Sequence, residues 1–325
     1  MTRAIRIETN GGPDVLTLQD VSLPPPAAGE ARVRHTAIGV NFIDIYHRTG
    51  LYKLPLPTGL GLEAAGVVER VGPDVTRVAV GDRIVYAQGP VGAYSEASNV
   101  PAARLVKLPD TIPDEIAAAS LLKGLTVHYL LRRTHRVTKG EHILFYAGGG
   151  GVGMLAVQWA KALGAVVIAT VGSHEKVPLV QRLGAAHVIV SRTENIASRV
   201  REITGGKGVP VVYDSIGRDT FMASLDSLAP LGLFVSFCNA SGPVPPFDAS
   251  ILAQKGSLYF TRPTLANYVS TSAELDTAAG ELFDVIASGA VRPRPPRKFP
   301  LSQAADAHRA LESRQTTGSL VLIPD

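Results

Sequence analysis

The order of apolar and polar positions divides the chain into two kinds of segment. Residues 1–110 carry short apolar runs, among them Ala31–Val40, Ala64–Gly72 and Asp82–Tyr86, separated by glycine, proline and aspartate. Three consecutive prolines mark a loop within Leu23–Glu30. Gly66–Val85 alternates apolar with polar residues around turns at Gly72-Pro73-Asp74 and Gly81-Asp82. This pattern predicts a small antiparallel barrel or sandwich. From about residue 110 the period changes. Asp114–Leu131 has helical spacing and is followed by a short apolar strand, Glu141–Ala147. Helices over 152–163, 174–183, 194–204 and 219–228 then alternate with strands Val166–Val171, His187–Val190, Val209–Ser215 and Leu233–Phe237. Such alternation predicts a parallel sheet with helices on both faces. Two further helices (273–288 and 302–313) flank a basic, proline-rich loop, Arg292–Lys298, before a last strand, Gly318–Pro324. That strand lies far from the parallel run, so the C-terminal segment is expected to return to the first domain. The parallel domain is then an insertion.

Composition adds bounds. A chain of 325 residues suits two domains. With 46% hydrophobic and 18% charged residues it reads as an ordinary globular protein, and a net charge of +4 says little about partners. The single cysteine, Cys238, rules out an internal disulfide and a four-cysteine zinc lobe, which fits a reducing compartment, the cytoplasm. The N-terminus reads as a strand and turn, not a signal peptide. No run of about 18 apolar residues occurs, so no membrane span is expected.

The strongest motif is Ile143–Gly153, in which Gly148, Gly150 and Gly153 fit G-x-G-x-x-G between an apolar strand and an amphipathic helix. Glycines there allow a tight turn and a close approach of backbone to a pyrophosphate, and the helix N-terminus offers unpaired N–H groups with partial positive charge. The glycine pattern alone is weak; strand, helix and following strand together point to a dinucleotide. Binders of NAD carry an acid at the tip of the next strand. Here the tip reads Gly172-Ser173-His174-Glu175-Lys176. With no acid at the tip itself, Ser173 free to donate and Lys176 to supply charge, the sequence favours NADPH. Ser173 as a helix N-cap and Lys176 as a solvated side chain is the plainer alternative; the cap is compatible with phosphate binding.

These features resemble the medium-chain dehydrogenase/reductase superfamily and, within it, the zinc-free quinone oxidoreductases related to ζ-crystallin. The resemblance spans essentially the whole chain. It is carried by Asn41-Phe42-Ile43-Asp44, Gly61-Leu62-Glu63-Ala64-Ala65-Gly66, Lys123-Gly124-Leu125-Thr126, Gly150-Gly151-Val152-Gly153-Met154, Val212–Gly217 and Leu311-Glu312-Ser313-Arg314. It implies an α/β fold: a Rossmann-type, doubly wound parallel sheet (123–265) inserted in a β-rich, GroES-like catalytic domain (1–122 and 266–325). Zinc enzymes of the superfamily have a cysteine in the first segment and Gly-His-Glu in the second. Here those positions hold Asn41 and Gly61-Leu62-Glu63. Leucine cannot ligate a metal and asparagine is a poor zinc ligand. The eight histidines show no ligand spacing. Without a Lewis acid the acceptor must already be electrophilic, as quinones and conjugated enones are.

The resemblance also implies roles. Asn41 lies beside the nicotinamide end of the cofactor, and Tyr129 is a cofactor contact. Gly150, Gly151, Val152 and Gly153 hold the pyrophosphate, and Gly172, Ser173 and Lys176 the 2′-phosphate. Ile216, Phe237, Cys238 and Asn239, at tips of later strands, face the cofactor. Arg314 is a further phosphate-reaching arginine. Where relatives often place a tyrosine over the adenine, this chain has Ser191 followed by Arg192, which either compensates with its guanidinium or merely starts a helix in solvent. Tyr46 and Tyr52 flank the loop after Asn41 and line the quinone cleft, packing being their alternative role. No general acid stands out, so solvent is expected to protonate the reduced quinone, with catalysis resting on proximity and orientation. Two rivals remain: a zinc-free reductase of 2-alkenals or enoyl thioesters, and an NADPH-binding protein that holds single-stranded nucleic acid. For the latter Arg292–Lys298 has only Phe299 as a stacking partner, so nucleic acid is the weaker reading. By resemblance the protein is a homodimer.

Overall fold

A computed structural model describes residues 1–313 and 317–325 and separates the chain into two compact units. One comprises Met1–Leu125, Val269–Ala287 and Pro293–Asp325; the other comprises Thr126–Tyr268 and Ser288–Arg292. The α/β class expected from the sequence is what is found, with a parallel-sheet unit inserted in a β-rich one.

The β-rich unit is built on a seven-stranded sheet. Its path runs from Arg297–Pro300 through Leu320–Ile323, Glu30–Val40, Ala64–Val71 and Arg83–Tyr86 to Val106–Lys107, with Ala97–Pro101 also pairing with Glu30–Val40. The last strand of the chain lies antiparallel to Glu30–Val40, Leu320 opposite Val40 and Leu322 opposite Ile38. A smaller sheet joins Thr17–Val21, Thr2–Ile7 and Thr58–Gly59. The alternation read in the sequence has its cause here. Ile5, Ile7, Val33, Ile38, Val40, Val68 and Ile84 point inward and meet Leu301, Ala304 and Ala307 of the C-terminal segment in one core. The basic tract is not a loop throughout, because Arg297–Pro300 is a strand.

The segment after Asn41, expected to be a loop flanked by Tyr46 and Tyr52, contains an α-helix, Phe42–Thr49. The Asn41 backbone N–H donates to Asp44 Oδ2 (2.8 Å), which satisfies one of the donors that a helix start leaves open. Gly50, at φ 80°, takes the left-handed conformation that ends the helix.

In the inserted unit six strands lie parallel in the order His187–Val190, Val166–Val171, His142–Phe145, Val209–Asp214, Leu228–Ser236, Tyr259–Thr261. In sequence order within the unit this is 3-2-1-4-5-6, the dinucleotide-binding arrangement. The sixth strand, Tyr259–Thr261, is only 3 residues long, too short to be read from the sequence. The first strand ends at a crevice between its two neighbours, where the order reverses and ligands bind. Leu144, Ile168, Val212, Phe221 and Phe234 fill the core around it.

The β-rich core also encloses a histidine. His35 is 2% exposed; its Nδ1–H donates to Ser95 O (2.7 Å), and the Tyr86 hydroxyl lies 3.0 Å from Nε2. Burial pushes its pKa down to about 4, against which the Ser95 hydrogen bond works. The unfolded chain therefore takes up a proton between pH 6.5 and 4 that the folded chain refuses, and stability falls as pH falls through that window. The full effect is about 3 kcal/mol. A His35→Gln variant is expected to be less stable at pH 7 but to show a shallower loss from pH 6.5 to 4, measured by urea unfolding. An unchanged slope would place the acid sensitivity elsewhere.

Candidate functional site

The glycine turn begins where the strand His142–Phe145 ends. Ala147 holds a positive φ of 54°, and Gly148 N–H donates to Thr170 O (2.8 Å), which ties the turn to the neighbouring strand. At Gly153 a Cβ would stand 2.1 Å from Ala147 O and 2.8 Å from Gly148 Cα. Only a glycine lets the helix Gly151–Ala162 start this close to the strand end. The helix buries Met154, Leu155, Ala156, Val157, Trp159 and Ala160, so its N-terminus is held at the carboxyl edge of the sheet.

The 2′-phosphate candidates gather around this turn. The Lys176 side chain runs over Gly149, with Cδ 3.5 Å from the position of a Gly149 Cβ. Arg192 reaches Gly172, with Nε 4.0 Å from the position of a Cβ there. Burial and the Arg192 guanidinium push the Lys176 pKa down, and Glu175 opposes them. Two cations that repel each other beside a helix N-terminus form a site suited to an anion. Ser173 is the residue before the 3₁₀ turn His174–Lys176, and its side chain makes no cap hydrogen bond. The Ser191 hydroxyl donates to Val171 O (3.1 Å) and offers no face for stacking. Ile216, Phe237, Cys238 and Asn239 follow the carboxyl ends of Val209–Asp214 and Leu228–Ser236 and are half-buried. The Phe237 ring lies 5.7 Å from Phe145. Tyr129 is buried and stacks on Tyr268 at 4.6 Å. Arg314 lies outside the described residues.

In the β-rich unit Asn41 is locked into a buried polar cluster. Its Nδ2 donates to Glu63 Oε2 (2.8 Å) and its Oδ1 accepts from Lys123 Nζ (2.7 Å). Glu63 Oε1 also accepts from the Leu122 N–H (2.6 Å), and Lys123 Nζ stands 3.8 Å from Glu63 Oε2. Burial raises the Glu63 pKa and lowers that of Lys123, and each charge opposes the shift of the other. Asp44 adjoins them, fully buried; burial pushes its pKa up to about 7 against hydrogen bonds from the Asn41 N–H and the Tyr94 hydroxyl. Behind Tyr94 stand His308 Nε2 (3.1 Å), then Arg48 Nη1 on His308 Nδ1 (3.0 Å), then Glu312, which takes two hydrogen bonds from Arg48 (2.6 and 3.2 Å).

The zinc positions do not fit a metal. Leu62 offers only carbon, the Asn41 carbonyl oxygen is held by an ammonium, and the Glu63 carboxylate is held by two N–H donors. Among the described residues no three His, Cys, Asp or Glu side chains converge. Tyr46 and Tyr52 meet edge to face at 5.2 Å. Tyr46 is buried inside the helix that follows Asn41, and Tyr52 is half-buried beyond its end. Phe299, the candidate stacking residue of the basic tract, is buried with the Arg297 guanidinium 4.6 Å over its ring, so it presents no open platform.

Sequence reasoning missed Lys123, Asp44 and the Tyr94–His308–Arg48 chain. One signal was available. Lys123 is the single charge in the mainly apolar Ile116–Val127, and Gly124 beside it, where a Cβ would meet Leu282 at 2.4 Å, marks that turn of helix as closely packed.

This geometry defines a medium-chain dehydrogenase/reductase whose zinc-ligand positions hold side chains that do not fit a metal. Residues 27–110 match the alcohol dehydrogenase GroES-like domain family, and residues 151–279 match the zinc-binding dehydrogenase family. The chain is 54% identical to a quinone oxidoreductase of Pseudomonas aeruginosa, over 100% of both chains. It is 45% identical to a 2-haloacrylate reductase of a Burkholderia species, over 100% of this chain and 99% of that one. It superposes with a TM-score of 0.98 on the crystal structure of Escherichia coli quinone oxidoreductase complexed with NADPH, at 51% identity, covering 99% of this chain and 100% of that one. The chain belongs to the quinone oxidoreductase family.

The turn geometry makes one contrast measurable. Gly153→Ala is expected to abolish dinucleotide binding and lower the unfolding midpoint, since the new methyl meets backbone at 2.1 Å. Gly149→Ala meets only the flexible Lys176 side chain, at 3.5 Å, and should bind within about threefold of the parent. Isothermal titration checks both, and equal tolerance at the two positions would contradict the close approach described.

Proposed function

We propose that this protein is an NADPH:quinone oxidoreductase that reduces its acceptor by hydride transfer from the nicotinamide without zinc. One observation carries the reading: where a metal enzyme has its ligands, this chain has Leu62 and an Asn41 amide pinned between Glu63 and Lys123. Those side chains do not hold a Lewis acid that would polarise an alcohol or simple ketone, so the acceptor must be electrophilic by itself. The family relationship supports quinones as that acceptor.

In this reading Gly150, Gly151, Val152 and Gly153 hold the pyrophosphate, and Gly172, Ser173, Lys176 and Arg192 hold the 2′-phosphate. The exposed Arg192 beside Lys176 gives it the place that a stacking residue at Ser191 cannot fill. Tyr129, Ile216, Phe237, Cys238, Asn239 and Arg314 are the remaining cofactor contacts. Asn41 orients the nicotinamide end, and Tyr46 and Tyr52 wall the quinone cleft, Tyr52 with more of its ring available. The cofactor supplies a hydride when bound; the chain supplies orientation and a dry site. Within the described residues no helix is long and apolar enough to cross a membrane. The reading places the protein in the cytoplasm as a homodimer. The parallel sheet supports the dimer by ending on an open edge at Tyr259–Thr261, where Tyr259 is 62% exposed.

Two outcomes test the reading. NADPH oxidation should proceed with 1,4-benzoquinone or a naphthoquinone and not with ethanol or acetone, and chelation should leave it intact. No turnover with any quinone would overturn the assignment. Lys176→Ala should weaken NADPH by roughly ten- to a hundredfold, the range of a charge-assisted hydrogen bond, and NADH much less. Equal losses for both cofactors in a binding titration would remove Lys176 from the 2′-phosphate site.

A further inference from the structure

The reduction needs a proton as well as a hydride, and the buried cluster of the β-rich unit holds a group able to give one. Of its members Glu63 and Asp44 are fully buried, whereas Lys123 and Asn41 keep 6% and 5% of their surface exposed. An ammonium carries three N–H groups. Among the described residues one hydrogen-bond acceptor, Asn41 Oδ1 at 2.7 Å, takes one of them. Glu63 stands at 3.8 Å, close enough to hold the charge and too far to take a second proton by a hydrogen bond. The lysine is therefore tethered by its neighbours with donors to spare, and it is bonded directly to Asn41, the residue assigned to the nicotinamide end of the cofactor.

We propose that Lys123 is the general acid of the reaction, donating its proton to the acceptor oxygen as the hydride arrives, an inference that rests on the quinone-reductase reading above. The balance is simple. The quinone gains one hydrogen and two electrons from the dihydronicotinamide, which would leave a hydroquinone monoanion. One Lys123 N–H bond breaks as an O–H bond forms on that oxygen, giving the neutral hydroquinone and a lysine amine. The amine regains its proton from solvent before the next turnover. Asn41 and Glu63 are positioning residues, since they fix the Nζ atom without exchanging a proton themselves.

The surroundings suit the task. Burial pushes the Lys123 pKa below its usual value, while Glu63 and Asp44, the charged groups that face it, push back. A lysine loosened in this way gives up a proton near neutral pH more readily than one in water, and then recovers it. Asp44 is hydrogen-bonded to Tyr94, and Tyr94 to His308 and through it to Arg48. These groups set the field behind the carboxyl without contacting the lysine.

The test compares acceptors whose hydroquinones differ in basicity. Tetrachloro-1,4-benzoquinone gives an anion stable without a proton; tetramethyl-1,4-benzoquinone gives a basic one. Lys123→Met should slow single-turnover NADPH oxidation by the tetramethyl compound roughly a hundredfold, the usual worth of a general acid, and by the tetrachloro compound less than about threefold. The alkaline limb of the tetramethyl pH profile should vanish in the variant. Because the single change strands Glu63 as a buried charge, Lys123→Met/Glu63→Gln, which removes both charges, provides a folded comparison with the same expected pattern. NADPH affinity and the unfolding midpoint report folding separately. Lys123→Arg keeps the charge and cannot release a proton near neutral pH, so it should stay slow with the tetramethyl compound. Equal losses for both acceptors, or rescue by arginine, would show that Lys123 acts only through charge or packing and overturn the proposal. A parent enzyme inactive with both quinones would instead sink the functional reading itself.

Discussion

The contact on which the inserted unit depends is one between backbone atoms. Ala147 O sits 2.1 Å from where the first side-chain carbon of residue 153 would be. Because that carbon is missing, the helix Gly151–Ala162 starts against the end of the central strand. Everything proposed for the phosphates follows from this closeness. The helix N–H groups face the carboxyl edge of the sheet, and the neighbouring strand tips bring Gly172 and Arg192 to the same place. Lys176 then lies over Gly149. A longer approach would leave the helix dipole and the two cations acting at different points, and an anion would gain little from either.

The β-rich unit solves a different problem: it buries charge. Taking Glu63 and Lys123 out of water is costly, and their mutual attraction offsets that only because each also has hydrogen-bonding partners. Gly39 makes room for the cluster, since a Cβ there would stand 2.3 Å from the Glu63 carboxylate. Such a site gains nothing over a hydrophobic one for stability alone. Its presence beside Asn41 and the short helix bearing Tyr46 is more readily explained by chemistry, in keeping with the clustering of perturbed ionisable groups at functional sites. The same arrangement explains why the position of the zinc ligands does not suit a metal. An ammonium now satisfies the amide oxygen that a cation would otherwise approach.

The chain matches families that include zinc dehydrogenases, yet its residues at the ligand positions do not fit a metal. Leu62 offers no ligand, and Asn41, Glu63 and Lys123 are bound to one another in a buried polar cluster. The acceptor must then supply its own electrophilicity, and any help from the protein must come as a proton or as orientation.

Several features were legible in the sequence because they rest on local pattern. The apolar alternation before residue 110, the strand–helix rhythm after it, the glycine turn and the missing acid at Gly172-Ser173 each depend on neighbours within a few residues. Other features depended on contacts between distant segments. Asn41, Glu63 and Lys123 are separated by 22 and 82 positions along the chain from Asn41, and only the packing of the sheet against the helix Asp114–Tyr129 brings them into hydrogen-bonding range. The same holds for Arg48 and Glu312, which are 264 positions apart. The segment after Asn41 reads as a loop because the helix Phe42–Thr49 is only 8 residues long and its interior is ordered by tertiary burial of Ile45, Tyr46 and Arg48. Periodicity records which face of an element is covered; it cannot record which distant charge lies beneath it, since that is settled only when the chain closes on itself.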